Sequence, residues 1–113
     1  MKRLVAATAA ILLIACAGAL DPLPLAITFK ATPTTAAVGD TVTFVSDAQG
    51  NDMVAVIAEF GDGGTDGTQL PFARTAHDTY KHVYSATGTY TATVTVVQSD
   101  SAKKAAPVTV TIH

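Results

Sequence analysis

The sequence predicts an all-β domain, an antiparallel β-sandwich of two sheets and about seven strands over residues 25–113. Three observations predict it: apolar and polar residues alternate with a period of two, Gly- and Asp-rich turns separate the alternating segments, and no segment has the period of an amphipathic helix. With 113 residues and a formal net charge of -2, the chain has room for one small domain and lacks the basic surface typical of nucleic-acid-binding proteins.

Residues 1–15 have the pattern of an export signal. Lys2 and Arg3 supply a short positive charge, and an apolar run follows from Leu4 to Ala15, as in the signal peptides of exported proteins. The run is too short for a membrane-spanning helix, which needs about 20 apolar residues. An uncleaved N-terminal membrane anchor is the alternative interpretation.

Cys16 is the only cysteine, and it directly follows this run in the segment Leu13–Cys16 (Leu-Ile-Ala-Cys). The segment resembles the lipobox of bacterial lipoproteins. The resemblance implies that the Cys16 thiol receives a diacylglyceryl group and that the peptide is cut before it. A lone cysteine in an exported chain has no disulfide partner that would explain it. The A-x-A patterns at Ala15–Ala17 and Ala17–Ala19 leave ordinary signal-peptidase cleavage, and therefore a secreted protein, as the alternative.

Residues 16–24 are expected to form a short tether between the lipid and the domain, because they are small and apolar and include Pro22 and Pro24. The mature chain would be more acidic than the precursor, since it loses Lys2 and Arg3. Its affinity for a membrane would therefore come from acyl chains. Ala17 after the cysteine, in place of Asp, favours the outer membrane or cell surface, by resemblance to lipoprotein sorting signals.

Beyond the tether, apolar and polar residues alternate along each expected strand. The clearest example is Thr89–Val96, where one face carries Tyr, Ala and Val and the other carries only Thr. Such alternation is typical of antiparallel strands with one face in the core and the other in water. The residues expected to face the core are Leu25, Ile27, Phe29, Val42, Phe44, Val54, Val56, Ala58, Phe60, Tyr90, Ala92, Val94, Val96, Val108, Val110 and Ile112.

Turns are expected where Gly, Asp and Asn cluster between these segments. The expected turns are Val38–Asp40, Gln49–Asp52, Gly61–Gly64, Asp66–Gly67 and Thr87–Gly88.

Three segments are similar to the PKD (polycystic kidney disease) domain family. Ala58–Gly63 (Ala-Glu-Phe-Gly-Asp-Gly) is similar to its W-D-F-G-D-G motif, His82–Thr91 fits H-x-Y-x-x-x-G-x-Y, and Val38–Phe44 fits the entry to its second strand. The resemblance covers roughly residues 25–113. It implies an immunoglobulin-like sandwich of the kind common in exported bacterial proteins.

The motif residues also have physical roles of their own. Gly61 and Gly63 permit a positive φ in a tight turn, and the Asp62 carboxylate can accept N–H groups that the turn leaves unpaired. Gly88 allows the chain to turn a corner, after which Tyr90 can enter the core and donate its hydroxyl to an upstream carbonyl. The complete set of expected structural motif residues is Phe60, Gly61, Asp62, Gly63, His82, Tyr84, Gly88 and Tyr90.

The chain departs from the family motif at two positions. Ala58 stands where the family has a core Trp, and Glu59 stands where it has Asp. The missing ring volume is expected to be filled by Phe72, Tyr80 or Tyr84, or else the core is looser by a few kcal/mol.

An apolar contact surface is predicted on the segment before the motif. Met53, Ala55 and Ile57 alternate with the expected core face, and outward apolar residues on a sheet mark a contact surface. The alternative is that a crossing loop formed by residues 64–78 covers them.

Metal binding is a minor interpretation of the acidic residues. Asp62, Asp66 and Asp78, with Glu59, are weak candidates for a calcium site, but they lack EF-hand spacing. A solvated, turn-stabilising acidic loop is favoured, so neither a metal nor another cofactor is predicted. The histidines lack zinc-ligand spacing, and His82 is better interpreted as a packing or hydrogen-bonding residue. The histidines are His77, His82 and His113.

The sequence does not predict an enzyme. Ser85, His82 and Asp78 are the residue types of a nucleophilic triad, but Ser85 has no nucleophile-elbow or oxyanion context. No catalytic segment is expected after the last strand. The Thr ladder of Thr89–Thr95 is interpreted as a solvent-facing strand surface rather than as an ice- or glycan-binding array.

The sequence therefore predicts a non-enzymatic binding or scaffolding module, lipid-anchored through Cys16 in the bacterial cell envelope. Its expected partners are an envelope protein or glycan, with no nucleic acid. Two alternatives are a secreted structural subunit that self-assembles through strand edges and a calcium-dependent adhesion module. The sequence leaves the oligomeric state open.

Overall fold

A computed structural model describes residues 23–113, which form β-strands joined by short turns. The all-β prediction is confirmed, with six continuous strands in place of about seven. The expected signal peptide, Cys16 and most of the tether lie outside the described residues. Within residues 23–113 there is no apolar helix long enough to cross a membrane. The strands are β1 (Ala26–Thr32), β2 (Thr35–Ala36), β3 (Thr41–Glu59), β4 (Thr65–Val83), β5 (Gly88–Gln98) and β6 (Lys103–Ile112).

The two longest strands, β3 and β4, each take part in both layers of the sandwich. In the first sheet, residues 41–49 of β3 pair antiparallel with β1 on one side and with residues 75–83 of β4 on the other. In the second sheet, residues 53–59 of β3 pair with β5 and with residues 65–73 of β4. β5 continues to β6, and β6 pairs in parallel with the short β2. The strand orders are therefore β1-β3-β4 and β4-β3-β5-β6-β2.

The segment Gln49–Asp52 is not the turn that the sequence predicts. It lies within β3, where the ladder to β4 changes register between Gln49 and Met53. Asp52 adopts a φ of 53° there, so the strand bends from one sheet into the other. The prediction of a turn at Asp66–Gly67 is also wrong. Both residues pair with β3, and Gly67 lies opposite Ile57. Pairing along the whole hairpin overrides the local turn preference of these residues.

The predicted surface position of Met53 is wrong as well, because its side chain is fully buried. The register changes again between Met53 and Ala55, so the alternation of inward and outward residues shifts at Val54. Met53 and Val56 both face the core, and Val54, expected there, is only half-buried. A bulge in the middle of a strand reverses which residues face inward.

A matching irregularity lies in β4. Gln69 is opposite Ala55 and Ala73 is opposite Met53, so four steps of β4 run beside two steps of β3. The extra residues include Phe72, which has a φ of 55° and is 64% exposed. Phe72 therefore does not fill the volume of the missing Trp.

The core lies between the two sheets and contains residues of both. Tyr80 and Tyr84, the other two candidates for the missing ring volume, are both buried in it. The expected alternation is confirmed in β5 and β6, where the buried residues are Ala92, Val94, Val96, Val110 and Ile112.

Candidate functional site

The hairpin turn between β3 and β4 is built by Gly61–Gly64. The Phe60 amide donates to the Gly64 carbonyl at 3.0 Å, and the Gly64 amide donates to Asp62 Oδ1 at 2.9 Å. This second bond is the one expected of the Asp62 carboxylate. Gly61 has a φ of 88°, and a Cβ there would lie 2.7 Å from the Thr91 carbonyl oxygen. Both the conformation and the close approach of β5 therefore require glycine.

Asp62 also binds the side chain of His82. His82 Nε2 lies 2.7 Å from Asp62 Oδ2, and the two side chains are 18% and 22% exposed, respectively. Burial alone would raise the pKa of Asp62. The hydrogen bonds from His82 and from the Gly64 amide outweigh burial, so the pKa lies below the ordinary value of 3.8.

Aromatic rings pack around this pair. The His82 ring stacks on Phe60 with a centroid distance of 4.2 Å and meets Tyr84 edge-on at 4.7 Å. The Tyr84 hydroxyl donates to the Phe60 carbonyl at 2.8 Å. Burial, with the nearby Asp62 charge, raises the pKa of Tyr84 to about 12. We call Phe60, Asp62, His82 and Tyr84 the motif cluster.

Tyr90 extends this packing at the entry to β5. Its ring stacks on Tyr84 at a centroid distance of 4.5 Å, and its hydroxyl donates to the Ala86 carbonyl at 2.8 Å. Gly88, with a φ of 152°, lies in the intervening corner. The motif residues therefore bond to one another and to the backbone, and their arrangement is that of a structural motif.

The outer face of the second sheet carries the remaining predicted contact residues. Ile57 is 42% exposed and Ala55 is half-buried. Ile57 has Gly67 of β4 on one side and Thr95 of β5 on the other. The predicted covering loop is wrong, because residues 65–78 belong to β4 and pair beside β3. In the described residues, the outer face of the second sheet is therefore left open.

Threonines of β5 lie on one side of Ile57. The ladder on β5 continues onto β6, where Thr109 and Thr111 lie opposite Thr91 and Thr89. A shallow groove of about 300 Å³ opens beside the hairpin turn. It is lined by Glu59, Gly61, Gly63, Gly64, Thr65, Thr91 and Thr93.

Phe72 is an exposed apolar residue, whereas the sequence predicts it among the residues that could fill the core volume of the missing Trp. It lies on β4, which has β3 as its only strand neighbour in the described chain. Pro71, directly before Phe72, is the sequence feature that indicates an edge strand or a bulge here, because proline within a strand is found at such places.

The three weak metal candidates do not come together. Asp62 is held by His82, while Asp66 Oδ1 accepts the Gly67 amide at 2.7 Å. Asp78 lies on the other half of β4, opposite Ser46. No cluster of three or more His, Cys, Asp or Glu side chains with metal-binding geometry occurs in residues 23–113.

His77 lies apart from the motif cluster, in the first sheet. Its Nδ1 is 2.5 Å from Asp47 Oδ1. This hydrogen bond, together with the Asp47 charge, raises the pKa of His77 above its ordinary value of 6.5. The pair borders an open groove of about 400 Å³ between β1 and β4.

Comparison with known protein families identifies the chain. The PKD domain family matches residues 26–111. The chain belongs to the PKD domain family. PKD domains are non-catalytic modules, generally extracellular, that serve binding and adhesion. No curated protein sequence gives a significant match.

Three solved structures share the fold. The PKD domain of an M14-like peptidase from Thermoplasmatales archaeon SCGC AB-540-F20 has a TM-score of 0.69 at 21% identity, with 81% of this chain and 96% of that chain covered. A CARDB domain from Pyrococcus furiosus, solved in complex with di-metal ions, has a TM-score of 0.61 at 15% identity, covering 81% and 89% of the two chains. The PKD domain of the human VPS10 domain-containing receptor SorCS2 has a TM-score of 0.53 at 16% identity, covering 81% and 74%.

Proposed function

We propose that this PKD domain is a lipid-anchored binding module of the bacterial cell envelope and that its partner, an envelope protein or glycan, contacts the outer face of the second sheet. The observation that carries the proposal is the exposure of Ile57 on that face, at 42%. An apolar side chain on an open sheet surface gains free energy when a partner covers it.

The surroundings of Ile57 suit a flat partner. Its neighbours on adjacent strands, Gly67 and Thr95, are small, so they leave a level surface. Threonine hydroxyls on β5 and β6 can donate and accept hydrogen bonds at its rim. This combination of an apolar centre with a polar rim is typical of transient protein interfaces.

The lipid anchor at Cys16 limits where the partner can be. Residues 16–24 separate the cysteine from the domain, and nine extended residues reach about 30 Å. The domain would therefore work close to the membrane surface. The Ala17 residue after Cys16 favours the outer membrane.

Two measurements test this proposal. The first is the intact mass of the membrane-bound protein, compared with that of a Cys16→Ala variant. We expect residues 16–113 plus a diacylglyceryl group, and usually a third acyl chain, with both lipid and membrane association lost in the variant. A protein without lipid that begins at Gly18 or Leu20 would overturn the anchor and leave a secreted protein.

The second measurement places a photo-crosslinking amino acid at Ile57 in intact cells, with Thr79 as the matched control. Thr79 is exposed on β4, opposite Val45 in the first sheet. We expect one discrete adduct from position 57 and none from position 79. Equal crosslinking at both positions, or none at position 57, would contradict a specific contact on the second sheet.

Self-assembly through strand edges is the second candidate, and the free edge of β4 favours it. In the described residues, β4 pairs with β3 alone, so one side of the strand has no neighbour. The bulge at Phe72, Pro71 and the charge of Lys81 all hinder edge-to-edge pairing, however. Sedimentation of the purified protein decides between a monomer and an assembly.

A further inference from the structure

The end of the tether is held against one end of the sandwich by the side chains of Gln49 and Asn51. The Leu23 amide donates to Asn51 Oδ1, and Asn51 Nδ2 donates to the Leu23 carbonyl, both at 3.2 Å. Gln49 Nε2 donates to the Pro24 carbonyl at 3.3 Å. The two side chains bind the backbone of residues 23 and 24 as a neighbouring strand would, so they fix the point at which the tether leaves the domain.

Segments of β4, β5 and β6 lie at the same end of the sandwich. Arg74 of β4 donates to Asn51 Oδ1 at 3.1 Å, and Gln98 Oε1 of β5 accepts the Asn51 amide at 2.7 Å. The turn after Gln98 leads to Lys103, where β6 begins. We call residues 23–25, 49–53, 71–75 and 98–104 the tether end.

Charge is distributed unevenly between the tether end and the rest of the domain. The tether end has three cations and two anions, all exposed: Arg74, Lys103, Lys104, Asp52 and Asp100. Its net charge is therefore +1. The rest of residues 23–113 has two lysines and six acidic residues, a net charge of -4. An anionic surface would attract the tether end and repel the remainder.

Phe72 adds an exposed aromatic ring to the tether end. It is 64% exposed and lies two residues before Arg74, in the bulge of β4. Its φ of 55° is rare for a bulky side chain. Strained residues of this kind cluster at binding sites, and an aromatic ring beside cations is typical of proteins that enter the lipid headgroup region.

We propose that the tether end docks onto an anionic membrane surface, with the Phe72 ring among the lipid headgroups and the three cations against their phosphates. This inference rests on the lipid anchor of the proposed function. Cys16 lies seven residues before Leu23, a reach of about 25 Å at most, so the lipid keeps this end next to the membrane. A lipid and a cationic patch together anchor a protein more stably than a single acyl chain does.

Docking at the tether end leaves the sheet faces accessible. The strands run from this end, where Ala26 pairs with Gln49, to the opposite end, where Thr32 pairs with Thr43. The Gly61–Gly64 turn therefore points away from the membrane. The outer face of the second sheet then lies to the side of the docked domain, where a partner can reach it.

Tryptophan fluorescence tests the docking, because the chain has no Trp of its own. Phe72→Trp and Val83→Trp each place a single Trp in the full lipidated protein, in vesicles of phosphatidylcholine and phosphatidylglycerol. Val83 is the matched control, since it is 49% exposed and lies at the other end of β4. At position 72 we expect blue-shifted emission that lipids brominated near the headgroup quench, from a depth of about 5–10 Å. At position 83 we expect neither change.

Charge variants of the Phe72→Trp protein test the cations. Replacing Lys103 and Lys104 with Gln should lower the ratio of docked to undocked domains by about fivefold for each lysine, and quenching should decrease with it. Replacing Lys30 and Lys81 with Gln removes the same charge from outside the tether end and should not decrease quenching. Salt at about 1 M, where the screening length is about 3 Å, should act as the first replacement does.

The intact mass of the same sample separates failure of the docking from failure of the anchor. A lipidated protein quenched no more from position 72 than from position 83 would overturn the docking and leave the anchor standing. Quenching that is independent of phosphatidylglycerol and of Lys103 and Lys104 would overturn the charged docking surface. A protein without lipid would overturn the anchor, and this inference with it. The substituted side chains are exposed, so circular dichroism should show a folded domain in every variant.

Discussion

Asp62 lies in the turn of the β3–β4 hairpin and Asp78 lies in one of its strands, yet only Asp62 has both carboxylate oxygens hydrogen-bonded. In the motif cluster, Asp62 bonds to His82 and to the Gly64 amide, and the Tyr84 hydroxyl bonds to the Phe60 carbonyl. Asp78 Oδ2, by contrast, is buried and has no hydrogen-bond partner in residues 23–113.

The difference between Asp62 and Asp78 follows from which backbone amides are near each carboxylate. The turn at Gly61–Gly64 leaves amides outside any ladder, so a carboxylate there finds a donor. Asp78 lies within β4, away from any turn. A carboxylate in a turn is therefore a structural group, whereas one on the inner side of a strand depends on other side chains or on a ligand.

The largest expected effect is in the motif cluster. Phe60→Ala should lower the free energy of unfolding by about 3–5 kcal/mol, because it leaves a cavity between Phe44 and His82. Phe72→Ala is the control, and since Phe72 is exposed it should change stability by no more than about 0.5 kcal/mol. Urea denaturation measures both. Similar losses in the two variants would show that Phe60 is not a core residue.

Tyr84→Phe should cost about 1–3 kcal/mol, since it leaves the buried Phe60 carbonyl without its donor. Tyr90→Phe removes a bond of the same length that is exposed to water, so its cost should be smaller. Denaturant midpoints give the ranking. A greater loss in Tyr90→Phe would mean that the corner, rather than the motif cluster, holds this end of the domain.

Asp62→Asn should destabilise the domain less, and in a pH-dependent manner. The pKa of Asp62 in the folded protein lies below the unfolded value of 3.8. Its ionised form therefore contributes stability above pH 3.8, and this contribution is lost as the pH falls through the lower, folded pKa. The difference between wild type and variant should be present at pH 7 and shrink below pH 4. A difference that is constant from pH 7 to pH 3 would contradict a role for the charge.

Asp78→Asn tests the contrasting region and should have the opposite sign. The variant should be as stable as the wild type or slightly more stable, because it removes a charged group whose buried Oδ2 atom has no hydrogen-bond partner in residues 23–113. Chemical denaturation measures this. A loss as large as that of Asp62→Asn would show that the charge of Asp78 stabilises the folded domain.

The smallest effect is at the exposed His77–Asp47 pair. The hydrogen bond and charge of Asp47 raise the pKa of His77, so the pair's contribution is complete below pH 6.5 and lost as the pH rises through the raised pKa. NMR titration should give a His77 pKa above 6.5, and Asp47→Asn should return it toward that value. An unchanged pKa in the variant would remove Asp47 as the cause.

The sequence was sufficient to predict the sandwich and the local motif, because these depend on alternation and on short-range turn chemistry. Val94, Val96 and Val110 follow the period of two into the core, and Asp62 bonds two residues along the chain. The sequence predicts the wrong environments for Met53 and Phe72, because bulges in β3 and β4 shift the alternation. The position of a bulge depends on how two strands pair, so it cannot be predicted from the sequence of one strand alone.

The environment of Asp78 was beyond prediction for a related reason. Asp78 lies opposite Ser46, and the two residues are neighbours only through the register of β3 against β4. A shift of one residue would turn Asp78 to the opposite face. Asp62, Asp66 and Asp78 lie in one stretch of the sequence, whereas in the structure Asp78 lies on the other half of β4 from Asp66.

The hairpin formed by β3 and β4 has a consequence for how the domain folds. Its ends meet at Glu59 and Thr65, only six positions apart, and pairing then extends to Thr41 and Val83. Folding is therefore expected to begin at the Gly61–Gly64 turn and to proceed outward, since the shortest loop closes with the smallest entropic cost. Because one hairpin supplies strands to both sheets, neither sheet can form fully without the other. The domain should consequently unfold in a single cooperative transition.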